Sequence, residues 1–252
     1  MEVLRRALWA GMGRGFFFHA PLQNSAMMHI LPASLIGAGI VASLVSNTAF
    51  GSEIGRTSQT IDIGISPRGP AFSIWFLIYA NLVATAIFSL YVALPRLFAL
   101  GLFASLLSTA AWVPLFTAGH FVSASLTLGV ALACALTALA QTGPLLQPGL
   151  VRALCAKVGP AIFGGWLLCA TTLGAAIAAK SKGATIPVWT PVLLAVLASA
   201  IAVAIRDPVF LLPVAWALAW MPGSRFTALG LLLLGFSVLF VIYLDAKRAA
   251  IV

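Results

Sequence analysis

Eight apolar runs dominate this chain, at residues 28–47, 70–94, 97–117, 121–141, 158–179, 186–205, 208–222 and 226–245. A helix needs roughly 20 mostly apolar residues to cross a bilayer, and nearly every run is that long. None alternates with period two, which argues against a membrane barrel. Composition agrees. Of 252 residues, 62% are hydrophobic and 8% charged, against roughly 25% charged in a soluble domain. The chain reads as an all-α integral membrane protein with seven or eight spans. The ambiguity rests on 208–222, which is short and carries Pro213.

A net charge of +9 would suggest nucleic acid in a soluble protein. Here the basic residues sit at the ends of apolar runs, where they anchor helices and set orientation, and no nucleic-acid partner is expected. Residues 1–27, with Arg5, Arg6 and Arg14, read as a basic segment on the membrane surface or as an uncleaved targeting remnant. Cys134, Cys155 and Cys169 lack metal-ligand spacing. The short connections predict that sequential helices are antiparallel neighbours. The exception is 48–69, "TAFGSEIGRTSQTIDIGISPRG", a polar stretch read as a lid or as a solvated connector.

Few residues offer reaction chemistry. Glu53 and Asp62 lie in the polar stretch, Asp245 ends the last run, and Asp207 before Pro208 reads as a helix cap. There is no GxSxG and no HExxH, so the chain does not read as an enzyme. His19, His29 and His120 are interfacial residues or ligands to a porphyrin metal. The remaining signal is aromatic. In "SPRGPAFSIWFLIY", residues 66–79, Gly69 and Pro70 start a helix, and Trp75 and Tyr79 share a face at i and i+4. Tyr79 lies about 13 Å below that start, deep for an interfacial belt. Asn81 and Thr85 form a polar pair in the same run, and Trp112 and Trp166 stand in the third and fifth. Such residues either wall a cavity for a flat apolar ligand or pack against the abundant Ala and Gly.

Three stretches in order resemble the translocator protein (TspO) family, the tryptophan-rich sensory proteins. "SPRGPAFSIWFLIY" is similar to the family's second-helix signature. "AAWVPLFTAGHFVSASL" (110–126) resembles its third-helix motif running into the fourth, and "GWLLCATTLG" (165–174) its fifth-helix motif. The longer relatives, with extra helices after the fifth, resemble this chain more closely. The resemblance implies a five-helix bundle over 28–180 with 48–69 as lid, and a C-terminal helical extension over 181–252. It also implies a pocket for porphyrins and other hydrophobic ligands, sterol in some members, walled here by Trp75, Tyr79, Trp112, Pro114, Trp166, Ala170 and Thr171; Asn81 joins the candidates. Three departures stand out. Gly174 replaces an Asn, "LLSTAAW" lacks another, and the lid lacks its Trp. The family's sterol-contact pattern lacks its Tyr, although Val241, Tyr243 and Lys247 match a similar pattern on the last run.

The expected function is a membrane-embedded sensor or carrier for a tetrapyrrole or other flat hydrophobic ligand. Two further readings are a structural accessory subunit of an organelle respiratory or photosynthetic complex, its pocket decayed or lipid-filled, and a transporter of small solutes. No cofactor is required; porphyrin, sterol or lipid are the ligands considered. The expected partners are the bilayer, a hydrophobic small molecule, and a second copy or a larger membrane complex. The membrane is mitochondrial, plastid or bacterial.

Overall fold

The computed structural model describes residues 22–142 and 154–249, all helix and connecting turns. The helices are α1 (Leu22–Thr60), α2 (Ile74–Ser89), α3 (Arg96–Thr117), α4 (Phe121–Ala140), α5 (Gly159–Lys180), α6 (Thr190–Ala204), α7 (Leu212–Ala219) and α8 (Ser224–Ala249). A 3₁₀ turn, Gly69–Ser73, leads into α2 with Pro70 in its first turn, as the sequence predicts. A π turn, Leu154–Val158, leads into α5. The basic segment falls outside the described residues up to position 21, and 22–27 belong to α1.

Among the described residues, five stretches are long and apolar enough to cross a membrane: His29–Ser58, Gly69–Ser89, Arg96–Thr117, Phe121–Ala140 and Ala156–Lys180. The sixth expected span shortens to the 15 residues of α6. The seventh is broken into a 3₁₀ turn, Pro208–Leu211, and the eight-residue α7. Pro213 is the reason: inside a continuous helix from 208 it would remove a backbone donor and clash with the preceding turn, whereas Pro208 opens the 3₁₀ turn, where a missing donor costs nothing. The eighth corresponds to α8, 26 residues long.

The polar stretch is not the long loop expected. Residues 48–60 continue α1, which reaches 39 residues. No proline interrupts them, and their hydroxyls bond back to the same helix: Thr48 to the Leu44 carbonyl at 2.9 Å, Ser58 to Gly55 at 2.9 Å and Thr60 to Thr57 at 2.7 Å. Hydroxyls that bond back to their own helix are accommodated there at slight cost, so the polar sequence does not end it. Only 61–68 forms a non-helical strap. It is pinned by buried Ile63 and Ile65 and by a turn in which the Gly64 N–H donates to Asp62 Oδ1 at 2.7 Å.

The first five helices close into a ring in the order α1, α3, α4, α5, α2. The expectation that sequential helices are neighbours therefore fails at α2. It lies between α1 and α5, while α3 packs on α1 and α4. Small residues make these contacts. A Cβ on Gly39 would meet Leu106 at 3.0 Å, and one on Gly101 would meet the Cys134 carbonyl oxygen at 2.9 Å. Ser46 and Ser105 donate across the seams to Ala110 and Ala131 carbonyls, each at 2.7 Å. In lipid, close packing and such bonds hold helices together. At the α3–α4 turn, Gly119 takes φ 79°, so that the His120 N–H reaches the Leu115 carbonyl at 2.9 Å and the His120 side chain stays outside.

The C-terminal segment is built into the bundle. Every residue of α5 from Gly159 to Cys169 is buried, because the Pro208–Leu211 turn and α7 cover the side that the ring leaves bare. A helix enclosed on all sides reads apolar all round. Gly164 and Gly165 admit this cover: a Cβ on Gly165 would collide with the Phe210 carbonyl and stand 2.6 Å from Pro213. Asp207 caps the turn by accepting from the Val209 N–H at 3.0 Å, as the sequence predicts, and pairs with Lys157 at 3.6 Å.

Candidate ligand-binding site

Helical geometry decides which candidates meet. Trp75 and Tyr79 differ by about 40° around α2, and their rings stack at 5.4 Å and 25°. Trp166 of α5 stands edge-on to Trp75, with centroids 6.4 Å apart at 81°. It is also edge-on to Phe72 at 5.9 Å. Trp112 of α3 packs on Phe116 at 5.3 Å. These rings, Tyr79 excepted, enclose a chamber of about 110 Å³ inside the helix ring, with Ala170 and Gly174 on the α5 wall and Leu128 on α4. Ile54 and Ser58 of α1 close it above, together with Ser66 and Pro67 of the strap.

The chamber offers few polar atoms. The Thr109 hydroxyl is committed to the Ser105 carbonyl at 2.9 Å and that of Ser58 to Gly55. Its surface is aromatic faces and alkyl groups, suited to apolar contact with little hydrogen bonding. A second space, about 530 Å³, lies between α1 and α2 and shares Ile54, Ser58, Phe72, Trp75 and Trp112 with the chamber. Tyr79 lines this groove. Its Oη lies 2.9 Å from Ser43 Oγ and accepts from Asn47 Nδ2 at 3.2 Å.

Three candidates fall elsewhere. Asn81 is about 240° from Trp75 around the helix. It sits against Gly159 of α5, where an added Cβ would lie 3.1 Å from Asn81 backbone and Cβ atoms, and its Nδ2 donates to the Leu77 carbonyl at 2.8 Å. Pro114 is about 200° from Trp112 and exposed on the outer face. Thr171 lines neither space, and its buried hydroxyl has no partner among the described residues. Conversely, Phe116 and the α5 residues Leu173, Gly174 and Ile177 line the chamber. Their spacing at i+3, i+4 or i+7 from Trp112, Trp166 or Ala170 was the available signal. Val241 and Lys247 lie among side chains outside the described set, and Tyr243 is exposed on α8. Among the described residues no three His, Cys, Asp or Glu side chains converge as a metal site.

A ring of apolar helices around an aromatic chamber defines an integral membrane protein with an internal apolar cavity. A family model described as TSPO-like protein matches residues 29–245; the chain belongs to that family, and at the coarse level it is a membrane-embedded ligand-binding protein. The match runs through the C-terminal helices as well as the five-helix ring. No curated protein and no solved structure matches the chain.

Proposed function

We propose that this protein is a non-enzymatic sensor or carrier for a flat, predominantly apolar ligand of the tetrapyrrole type. The observation that carries the reading is the convergence of Trp75, Trp112 and Trp166, from three helices, on one chamber. Indole faces bury large areas at little conformational cost and stack well on a planar ring. The chamber alone is smaller than the 300–1,000 Å³ usual for ligand pockets. A macrocycle would therefore lie across the chamber and the adjoining groove, with Trp75 shifting at their common wall. Tyr79 and Asn47 would meet its polar edge.

Protoporphyrin IX titration with tryptophan quenching tests this. Saturable micromolar quenching, weakened about tenfold in both Trp75→Ala and Trp166→Ala, is the expected result, since loss of one buried aromatic anchor is worth about 1–2 kcal/mol. Non-saturable quenching, unchanged by either variant, would move the reading to a structural subunit whose cavity holds lipid. One feature favours that second reading: Gly174 lines the chamber where the resemblance expects an amide.

A further inference from the structure

The groove between α1 and α2 opens sideways toward lipid: Phe76 on its rim is 83% exposed and Leu44 44%. Along α1 it follows Leu44, Asn47, Gly51, Ile54, Gly55 and Ser58, a single helical stripe about 21 Å long at 1.5 Å per residue. Gly51 and Gly55 leave its floor bare, and a Cβ added at either meets nothing within 4 Å. Glycine weakens a helix relative to alanine, and here no neighbouring helix uses the room it creates. The space is elongated, apolar and unfilled by the protein.

Thr48 and Ser58 also line it, with hydroxyls that donate to the α1 carbonyls of Leu44 and Gly55, and one further polar cluster stands deeper in the groove. The Asn47 amide nitrogen donates to the Ser43 carbonyl at 2.8 Å and to Tyr79 Oη at 3.2 Å. Both amide protons are thereby used, and Asn47 Oδ1 accepts no bond among the described residues. Within lipid no water compensates such an acceptor. No Lys, Arg, His, Asp or Glu lines the groove, so a carboxylate or phosphate seated there would be an unpaired charge in a low-dielectric site. The complementary molecule is neutral, elongated and apolar, and carries one donor.

We propose that the groove also takes a long-chain alcohol from the bilayer. Its hydroxyl donates to Asn47 Oδ1, and its chain lies along α1 over Gly51 and Gly55. The alcohol and a planar ligand would compete for the groove, but the two readings can be tested apart, because Asn47 and Gly51 line only the groove and Trp166 only the chamber.

Bromine quenches tryptophan, and Trp75 and Trp112 wall the groove. The test titrates the full chain in lipid nanodiscs with 16-bromohexadecan-1-ol, 1-bromohexadecane and 16-bromohexadecanoic acid. The alcohol should quench saturably with about fivefold to tenfold higher affinity than the alkane, the value of one neutral hydrogen bond. Its affinity should also exceed that of the ionised acid. Asn47→Leu should equalise alcohol and alkane. Gly51→Leu, which breaks no hydrogen bond and enters empty space, should weaken both, and Trp166→Ala should leave the preference for the alcohol intact. Equal binding of alcohol and alkane by the unmodified protein overturns the proposal, as does a preference that survives Asn47→Leu or tightest binding of the acid. Failure of protoporphyrin to bind while the preference for the alcohol persists removes the planar-ligand reading alone.

Discussion

The indole Nε1 of Trp216 donates a 2.9 Å hydrogen bond to the carbonyl oxygen of Ala71, 145 residues earlier. Beside it the Arg68 N–H donates to the Trp220 carbonyl at 3.0 Å. Ala71 lies in the turn that brings Phe72 and Trp75 to the chamber, and Arg68 is the strap residue just before it. The short helix α7 thus holds the start of α2 in place, and a C-terminal element becomes part of the chamber's support.

Trp216→Phe keeps the ring and removes the donor. It should lower stability by about 1 kcal/mol and speed hydrogen exchange in residues 66–74. Unchanged exchange there, alongside a normal denaturation midpoint, would show that α7 does not hold this turn.

At the α5–α7 contact, Gly165→Ala should cost about 3 kcal/mol, the upper part of the overpacking range, because the added methyl would meet Phe210 backbone and Pro213. Gly129→Ala is the control. Its Cβ meets nothing within 4 Å, and stability should hold or rise by up to about 1 kcal/mol. Denaturation midpoints that did not separate the two variants would contradict the packing described.

Asp207 supplies a pH dependence. Its carboxyl is 2% exposed, and burial raises its pKa above the ordinary aspartate range, while Lys157 and the Val209 N–H pull it back down. A folded-state pKa above the unfolded one means that the native chain holds the proton longer. Asp207's contribution is therefore full below the unfolded value, declines as pH rises through the folded value, and is level above it. Asp207→Asn keeps the acceptor for Val209 and should flatten that slope. Asp207→Ala also loses the cap, at about 1 kcal/mol. Unfolding measured across the acid range checks both, and a slope retained by the Asn variant would assign it to another group.

Gly174→Asn returns an amide to the chamber. An added Cβ there lies 3.3 Å from Leu128 Cδ1 and 3.7 Å from Ser125 Oγ, so a small shift of Leu128 accommodates it, with a loss of about 1 kcal/mol. Protoporphyrin affinity should rise about fivefold, the worth of one hydrogen bond. Weaker binding would indicate that the residue takes up the ligand's own space.

Much of the candidate site was legible because helices are periodic. Trp75 and Tyr79, four apart, face one way, and Trp166 and Ala170 do the same. The same arithmetic, applied to Asn81 and Pro114, would have placed both on other faces. Asn81 stands out by residue type and Pro114 by its motif, and neither property specifies direction. Thr171, next to Ala170, points about 100° away from it. The continuation of α1 through 48–60 was hidden because polar residues usually mark loops; here their hydroxyls bond within the helix.

The sequence by itself determined that this is a helical membrane protein, where the apolar stretches of its five long spans lie, and which aromatic residues are placed to wall a cavity. Apolar run length and helical period are local properties, readable without partners. The tertiary structure alone decided that α2 inserts between α1 and α5, that a groove opens beside the chamber, and that α7 buries the outer face of α5. Those outcomes depend on close approaches between residues far apart in the chain, such as Gly165 with Phe210 and Trp216 with Ala71. Contacts of that kind follow from the simultaneous packing of all the helices, which no single segment encodes.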